Sequence, residues 1–162
     1  MTKVTVTDHI YRTSLHWSAE GGEGTTSYKS FARTHRITAR DKGGKEKPAI
    51  LATSAFHSLD HYNPDELLIG SLSSCHMLWY LHLCSESGVV VVDYRDEAEG
   101  VLRLDAKGEG KVERVTLRPL VAIASGNPEV ARALHKDAHS KCFVAASVNF
   151  PVLCEPKIEV SK

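Results

Sequence analysis

Apolar positions along the chain change their period more than once. Residues 10–18 (IYRTSLHWS) and 27–39 (SYKSFARTHRITA) interleave β-branched and aromatic residues with polar ones, around a GGEG turn at 21–24. That pattern predicts a hairpin. A polar loop, DKGGKEKP (41–48), a short strand, AILATS, and a second loop, AFHSLDHY, follow. The period then changes. In NPDELLIGSLSSCHMLWYLHLC, Asn63 suits an N-cap, Pro64 the first helical position, and Asp65 with Glu66 the first turn, where the macrodipole favours negative charge. Gly88 supplies the stop, so a helix is predicted over about 63–86, ~36 Å long.

Beyond it, VVVVDYRDEAEGVLRLD and KVERVTLRPLVAIA read as strands, the first broken near Glu99 and Gly100 and the two separated by AKGEG. Asn127 and Pro128 open a second helix, EVARALHKDAHSKC, predicted to reach about Cys142 or a turn further, and PKIEV is a last strand. The order of elements implies a single α+β domain over residues 1–162, with helices packed on antiparallel sheet.

At 100° per residue, Cys75 shares a helix face with Leu68, Leu72, Leu78, Trp79 and His82, which predicts a buried stripe. Gly70, Ser71, Ser73 and Ser74 thin the helix just before it, so a close neighbour or an entering molecule is expected there. A thiol in this setting has two readings, a small hydrophobe of the core or a reagent. Mid-helix it lacks the help of a helix N-terminus, so reactivity requires a cation or donor from elsewhere. Cys142, at the end of the second helix and followed by FVAASV, is a second thiol expected to be buried.

Composition narrows the function. Lysine plus arginine equals aspartate plus glutamate at 20 each, so no net field draws the chain to nucleic acid or an anionic membrane. The first 25 residues lack a secretory pattern and no long apolar run is free of polar interruption, which leads us to expect a soluble cytoplasmic protein. Four cysteines, none in a CxxC pair, do not suggest a disulfide framework there.

His135, His139 and Cys142 have helical offsets of four and three, a spacing that can bind zinc, and His76 and His82 add donors. No fourth ligand is evident, and nine histidines make chance pairs common, so no metal or other cofactor is assigned. Cys84, in the helix's last turn, and Cys154, in the irregular VLCEP stretch, read as inert. Trp79 and Tyr80 fit either a pocket wall or the core, and the carboxylates of DYRDEAEG a solvated strand edge.

NPDELLIGSLSSC resembles the segment around the first cysteine of the OsmC/Ohr family of thiol-dependent hydroperoxide reductases, and AHSKCFVAASV is similar to the region of the second. The resemblance in element order spans nearly the whole chain; the motifs span about 30 residues. It implies an intertwined homodimer, with antiparallel sheets wrapped around long central helices and active sites at the subunit interface. It also implies a peroxidatic Cys75, a resolving Cys142, an organic hydroperoxide as substrate, and an external dithiol, lipoyl-linked or otherwise, as reductant.

Two departures stand out. The family's glutamate falls on Asp65, with Glu66 beside it. Its activating arginine has no direct counterpart, because Glu23 and Ala55 occupy the two places where branches of the family carry it; Arg33, Arg36 and His57 are the nearby candidates, Arg33 first. That leaves two further readings: a non-catalytic relative holding a small apolar ligand at the dimer interface, or a metal-binding protein.

Overall fold

The alternating segments at the start of the chain form strands in the structure, a computed structural model that describes residues 8–19, 21–22, 24–55 and 60–161. The chain divides into two compact units, residues 1–64 and 65–162. In the first, β1 (Thr13–His16), β2 (His35–Ala39) and β3 (Ile50–Ala52) form an antiparallel sheet in that order, with Leu15 opposite Ile37 and Ile37 opposite Ile50. The expected pairing of β1 with β2 is present, but the connection is not a tight turn. It runs from Trp17 to Thr34, and the Trp17 indole N–H donates to the Ala32 carbonyl at 2.7 Å while its ring meets Phe31 edge-on. Glu23 and His57 lie outside the described residues.

Helix α1 (Pro64–Glu86) matches its predicted bounds to within one residue. Gly88 ends it as expected: with φ at 70°, the chain turns so that the Val89 N–H reaches the Cys84 carbonyl at 3.0 Å. The buried stripe of α1 is Leu72, His76, Tyr80 and Cys84, one residue round the helix from the predicted one. Leu78 is 61% exposed and His82 is exposed, which leaves Cys75 half-buried at the margin of the stripe. Gly70, Ser71 and Ser74 are exposed too, and a Cβ at Gly70 would meet no described atom within 4 Å, so of the four small residues only Ser73 meets the close neighbour expected there.

The two strand segments after α1 each break into two. β4 (Val90–Asp96) pairs with β7 (Pro119–Ser125), and β5 (Glu99–Leu104) with β6 (Gly110–Leu117). At the break the Asp96 carboxylate accepts from the Arg118 N–H, at 2.7 Å, and from the Ser73 hydroxyl of α1. That carboxylate therefore ties sheet to helix and is not the solvated edge predicted for it. The C-terminus adds a strand to each sheet: β8 (Val152–Cys154) runs parallel to β6 and β9 (Lys157–Val160) parallel to β7. β9 was expected, whereas β8 lies in the stretch read as irregular, and the sheets are mixed where antiparallel ones were predicted.

Helix α2 (Pro128–Lys141) starts where Asn127 Oδ1 accepts from the Glu129 N–H at 2.8 Å. It stops because Cys142 adopts extended backbone, and the single turn α3 (Phe143–Ala146) follows. Two apolar clusters form in this unit. Tyr80 and Cys84 pack with Val121, Ile123, Ala131 and Leu134, while Leu72 packs with Val115 and Leu117. Strand β5 approaches α1 closely at Gly100, where an added Cβ would lie 2.4 Å from Ile69 Cδ1.

Candidate active site

Cys75, on the fourth turn of α1, and Cys142, between α2 and α3, lie near enough for the first to act on the thiol of the second. Cys142 is 1% exposed and its thiol is pushed up to about 11, first by burial and then by the Cys75 sulfur beside it. The Ala145 N–H donates to its Sγ at 3.4 Å and works in the opposite direction. The half-buried Cys75 is the more accessible member. Two thiols so placed can pass between dithiol and disulfide.

Around the pair lie groups that the sequence pattern did not single out together. Trp79, one turn beyond Cys75, meets Phe143 edge-on with centroids 5.6 Å apart, and the Lys141 ammonium lies 5.4 Å from the Trp79 ring. Lys141 and Phe143 flank Cys142 in sequence, which is the one signal that could have found them. Tyr80, by contrast, is fully buried core.

The other predicted residues are placed as follows. Asp65 and Glu66 occupy the first turn of α1, and ten positions of continuous helix put Asp65 ~15 Å from Cys75 along the axis. Arg33 belongs to the N-terminal unit, where it donates to the carbonyls of Phe31 (2.8 Å) and Tyr28, with its guanidinium 4.3 and 4.5 Å from the Phe31 and Tyr28 ring centres. It lines an apolar pocket of about 400 Å³ with Leu15, Trp17, Phe31 and His35. Arg36 is instead paired with Glu46 at 2.8 Å.

A second polar group lies on the neighbouring face of α1. His76 falls between Leu72 and Tyr80 on the buried stripe, and hence between the two apolar clusters. Its Nε2 is 3.0 Å from Nδ1 of His135 on α2, and Cys154 Sγ on β8 is 3.6 Å from the first nitrogen and 3.9 Å from the second. The imidazole rings are parallel within 7° with centroids 5.3 Å apart. Only an edge-to-edge, nearly coplanar pair combines that separation with a 3.0 Å contact between nitrogens, so the rings share one in-line hydrogen. Tyr80 does stack on His135, at 3.8 Å.

Burial lowers both rings, His76 to about 4 and His135 to about 3, and raises the Cys154 thiol to about 12. The trio of His135, His139 and Cys142, whose spacing can bind zinc but to which the sequence assigns no metal, is not what the structure gathers: His135 joins His76 and Cys154, and Cys142 lies near Cys75. Cys154, read as inert, sits in the most polar part of the interior.

Comparison with known proteins gives a consistent picture. The profile of the OsmC-like protein family matches residues 57–157. A solved structure of an OsmC-like protein of unknown function from Vibrio cholerae is 28% identical, with a TM-score of 0.78 over 93% of this chain and 100% of that one. The organic hydroperoxide resistance protein OhrB of Bacillus subtilis, 15% identical, shares the fold with a TM-score of 0.59 over 93% of this chain and 98% of its own. The uncharacterised protein YmaD of Bacillus subtilis is 27% identical over 90 residues, 53% of this chain; the match spans 59% of that relative's length.

Proposed function

Because the chain belongs to the OsmC-like protein family, we propose that it is a thiol-dependent peroxidase that reduces organic hydroperoxides to alcohols. The proximity of Cys75 and Cys142 carries this reading. The Cys75 thiolate attacks the distal peroxide oxygen, the O–O bond breaks, and the departing alkoxide takes a proton to leave as the alcohol. Cys75 is then a sulfenic acid. The Cys142 sulfur displaces its hydroxyl as water, giving a disulfide, and an external dithiol, lipoyl-linked or otherwise, returns the two electrons.

The missing arginine is assigned to Arg33. A guanidinium has five N–H groups; two of those of Arg33 go to Phe31 and Tyr28, and stacking on their rings fixes its plane, as suits a group that orients a peroxide. Asp65 and Glu66 are assigned to holding that cation, in the same chain or across a dimer. Lys141 is the competing cation, next to Cys142. The Trp79–Phe143 pair beside the thiols favours alkyl hydroperoxides over hydrogen peroxide.

A homodimer is part of the proposal. Helix α1 is apolar on all sides, and by length and composition alone could cross a membrane, yet only its stripe is buried, with Gly70, Ser71, Ser74 and Leu78 left outside. A helix apolar all round calls for cover on its second face, and a second copy of α1 supplies it. The cytoplasm is the compartment we assign, where free thiols persist.

One equivalent of an organic hydroperoxide, followed by thiol titration and intact mass, tests the chemistry. A Cys75–Cys142 disulfide should form within seconds, and Cys142→Ser should leave a sulfenic acid that dimedone traps. Four unchanged thiols would overturn the enzyme. They would leave the second reading, favoured by the pocket beside Arg33, of a small apolar ligand bound without turnover. Arg33→Met and Lys141→Met decide which cation acts, by which one slows the first step.

A further inference from the structure

We propose that His76 Nε2, His135 Nδ1 and Cys154 Sγ form a site for a divalent transition-metal ion, zinc foremost, separate from the thiol pair. The three atoms come from α1, α2 and β8, and all lie within 4.8 Å of one another. A tetrahedral zinc ion, with bonds of about 2.0–2.1 Å to nitrogen and about 2.3 Å to sulfur, separates two nitrogens by about 3.3 Å and a nitrogen from a sulfur by about 3.6 Å. The observed separations are 3.0, 3.6 and 3.9 Å. To admit the ion each imidazole turns by about 35° from the in-line arrangement, so that the two inner lone pairs converge at a tetrahedral angle, and the pair widens by a few tenths of an ångström.

The donor set also suits the chemistry. Two imidazoles and a thiolate are the ligand types zinc and cobalt share, and a carboxylate-loving ion such as magnesium finds no oxygen among them. Among the described residues the outer nitrogens, His76 Nδ1 and His135 Nε2, are buried without a partner. The in-line contact between the inner nitrogens leaves one ring with its hydrogen pointing outward and the other with a bare lone pair. An ion between the rings turns both inner lone pairs to itself and places a hydrogen on each outer nitrogen.

The exchange balances. The ion takes the shared position, the ring hydrogen that was there moves to the outer nitrogen of the same ring, and the Cys154 thiol releases one proton to solvent. His135 and Cys154 line a cleft of about 350 Å³ with Arg132, Lys136 and His139, which gives the ion a route inward. The fourth corner falls to water or to His139, one turn along α2 from His135.

The test is anaerobic titration of the reduced, chelator-treated chain with cobalt(II), a spectroscopic stand-in for zinc. Expected are one ion per chain, a thiolate-to-cobalt charge-transfer band, the intense visible bands of tetrahedral cobalt, and their loss on adding zinc. Cys154→Ser should abolish the charge-transfer band, while the double variant Cys75→Ser/Cys142→Ser should keep it. His135→Gln should weaken cobalt affinity by more than about tenfold, since even outer-shell partners are worth that much; this arm decides the matter if Cys154→Ser does not fold. Absence of the band, its survival without Cys154, or its loss in the double variant overturns the site. The last result would put the ion on the thiol pair instead.

Discussion

Cys75 and His76 are neighbours in sequence, yet the 100° between them on α1 sends them into opposite chemical settings. His76 points along the buried stripe, where packing on both sides strips its ring of water and holds it neutral. Cys75 stands at the edge of that stripe, near a buried thiol on one side and half-open on the other. Each finds its partner on the same stretch of chain, His135 within α2 and Cys142 at its end. One helix pair thus presents a closed polar group and an accessible thiol pair side by side. Distance from the centre of the stripe, more than residue type, decides which of the two can meet a substrate.

The largest expected effect breaks the accessible half. Cys75→Ser should lower hydroperoxide turnover by about 10⁴-fold or more, as loss of a nucleophile does elsewhere; a peroxide-consumption assay showing ordinary rates would remove Cys75 from the chemistry. Alkylation comes next. Cys142, with its thiol raised to about 11, stays protonated from neutral pH until near that value, so its thiolate fraction at pH 8 is about 10⁻³. In iodoacetamide labelling read by peptide mass, Cys75 should react first at pH 8, and Cys142 should accelerate only as pH rises towards 11. Equal labelling of the two at pH 8 would contradict the contrast in their surroundings.

Smaller effects sharpen the contrast through the scaffold. Gly100→Ala pushes a methyl group against Ile69, two turns before His76 on the same face of α1, and should cost about 1–3 kcal/mol in urea unfolding. Asn127→Ala removes the cap that sets the start of α2, and with it the placement of both His135 and Cys142; about 1 kcal/mol is expected. An unchanged urea midpoint in that variant would mean that packing alone fixes the register of α2.

Local chemistry made the helices legible. Asn127, Pro128 and Gly88 act within a turn of themselves, and α1 and the start of α2 fall where they indicate. The thiol pair was legible through the resemblance around each cysteine. The histidine–cysteine group was not, because His76, His135 and Cys154 are separated by 59 and 19 positions and β8 is three residues long, too short for a period to show. Counting helical offsets misled for a related reason: the helix breaks at Cys142, so a spacing of three from His139 no longer describes a shared face. The buried stripe of α1 was misplaced by one residue because the helix is apolar on every side, which leaves no polar face to locate it against.

Cys142 closes one helix and opens the next, and its sulfur takes the hydrogen of the Ala145 amide. Drawing that sulfur into a bond with Cys75 loosens its hold on the amide. Formation of the proposed disulfide should therefore show in the hydrogen exchange of a single backbone group on α3, which a nuclear magnetic resonance spectrum can read without a substrate or a dye.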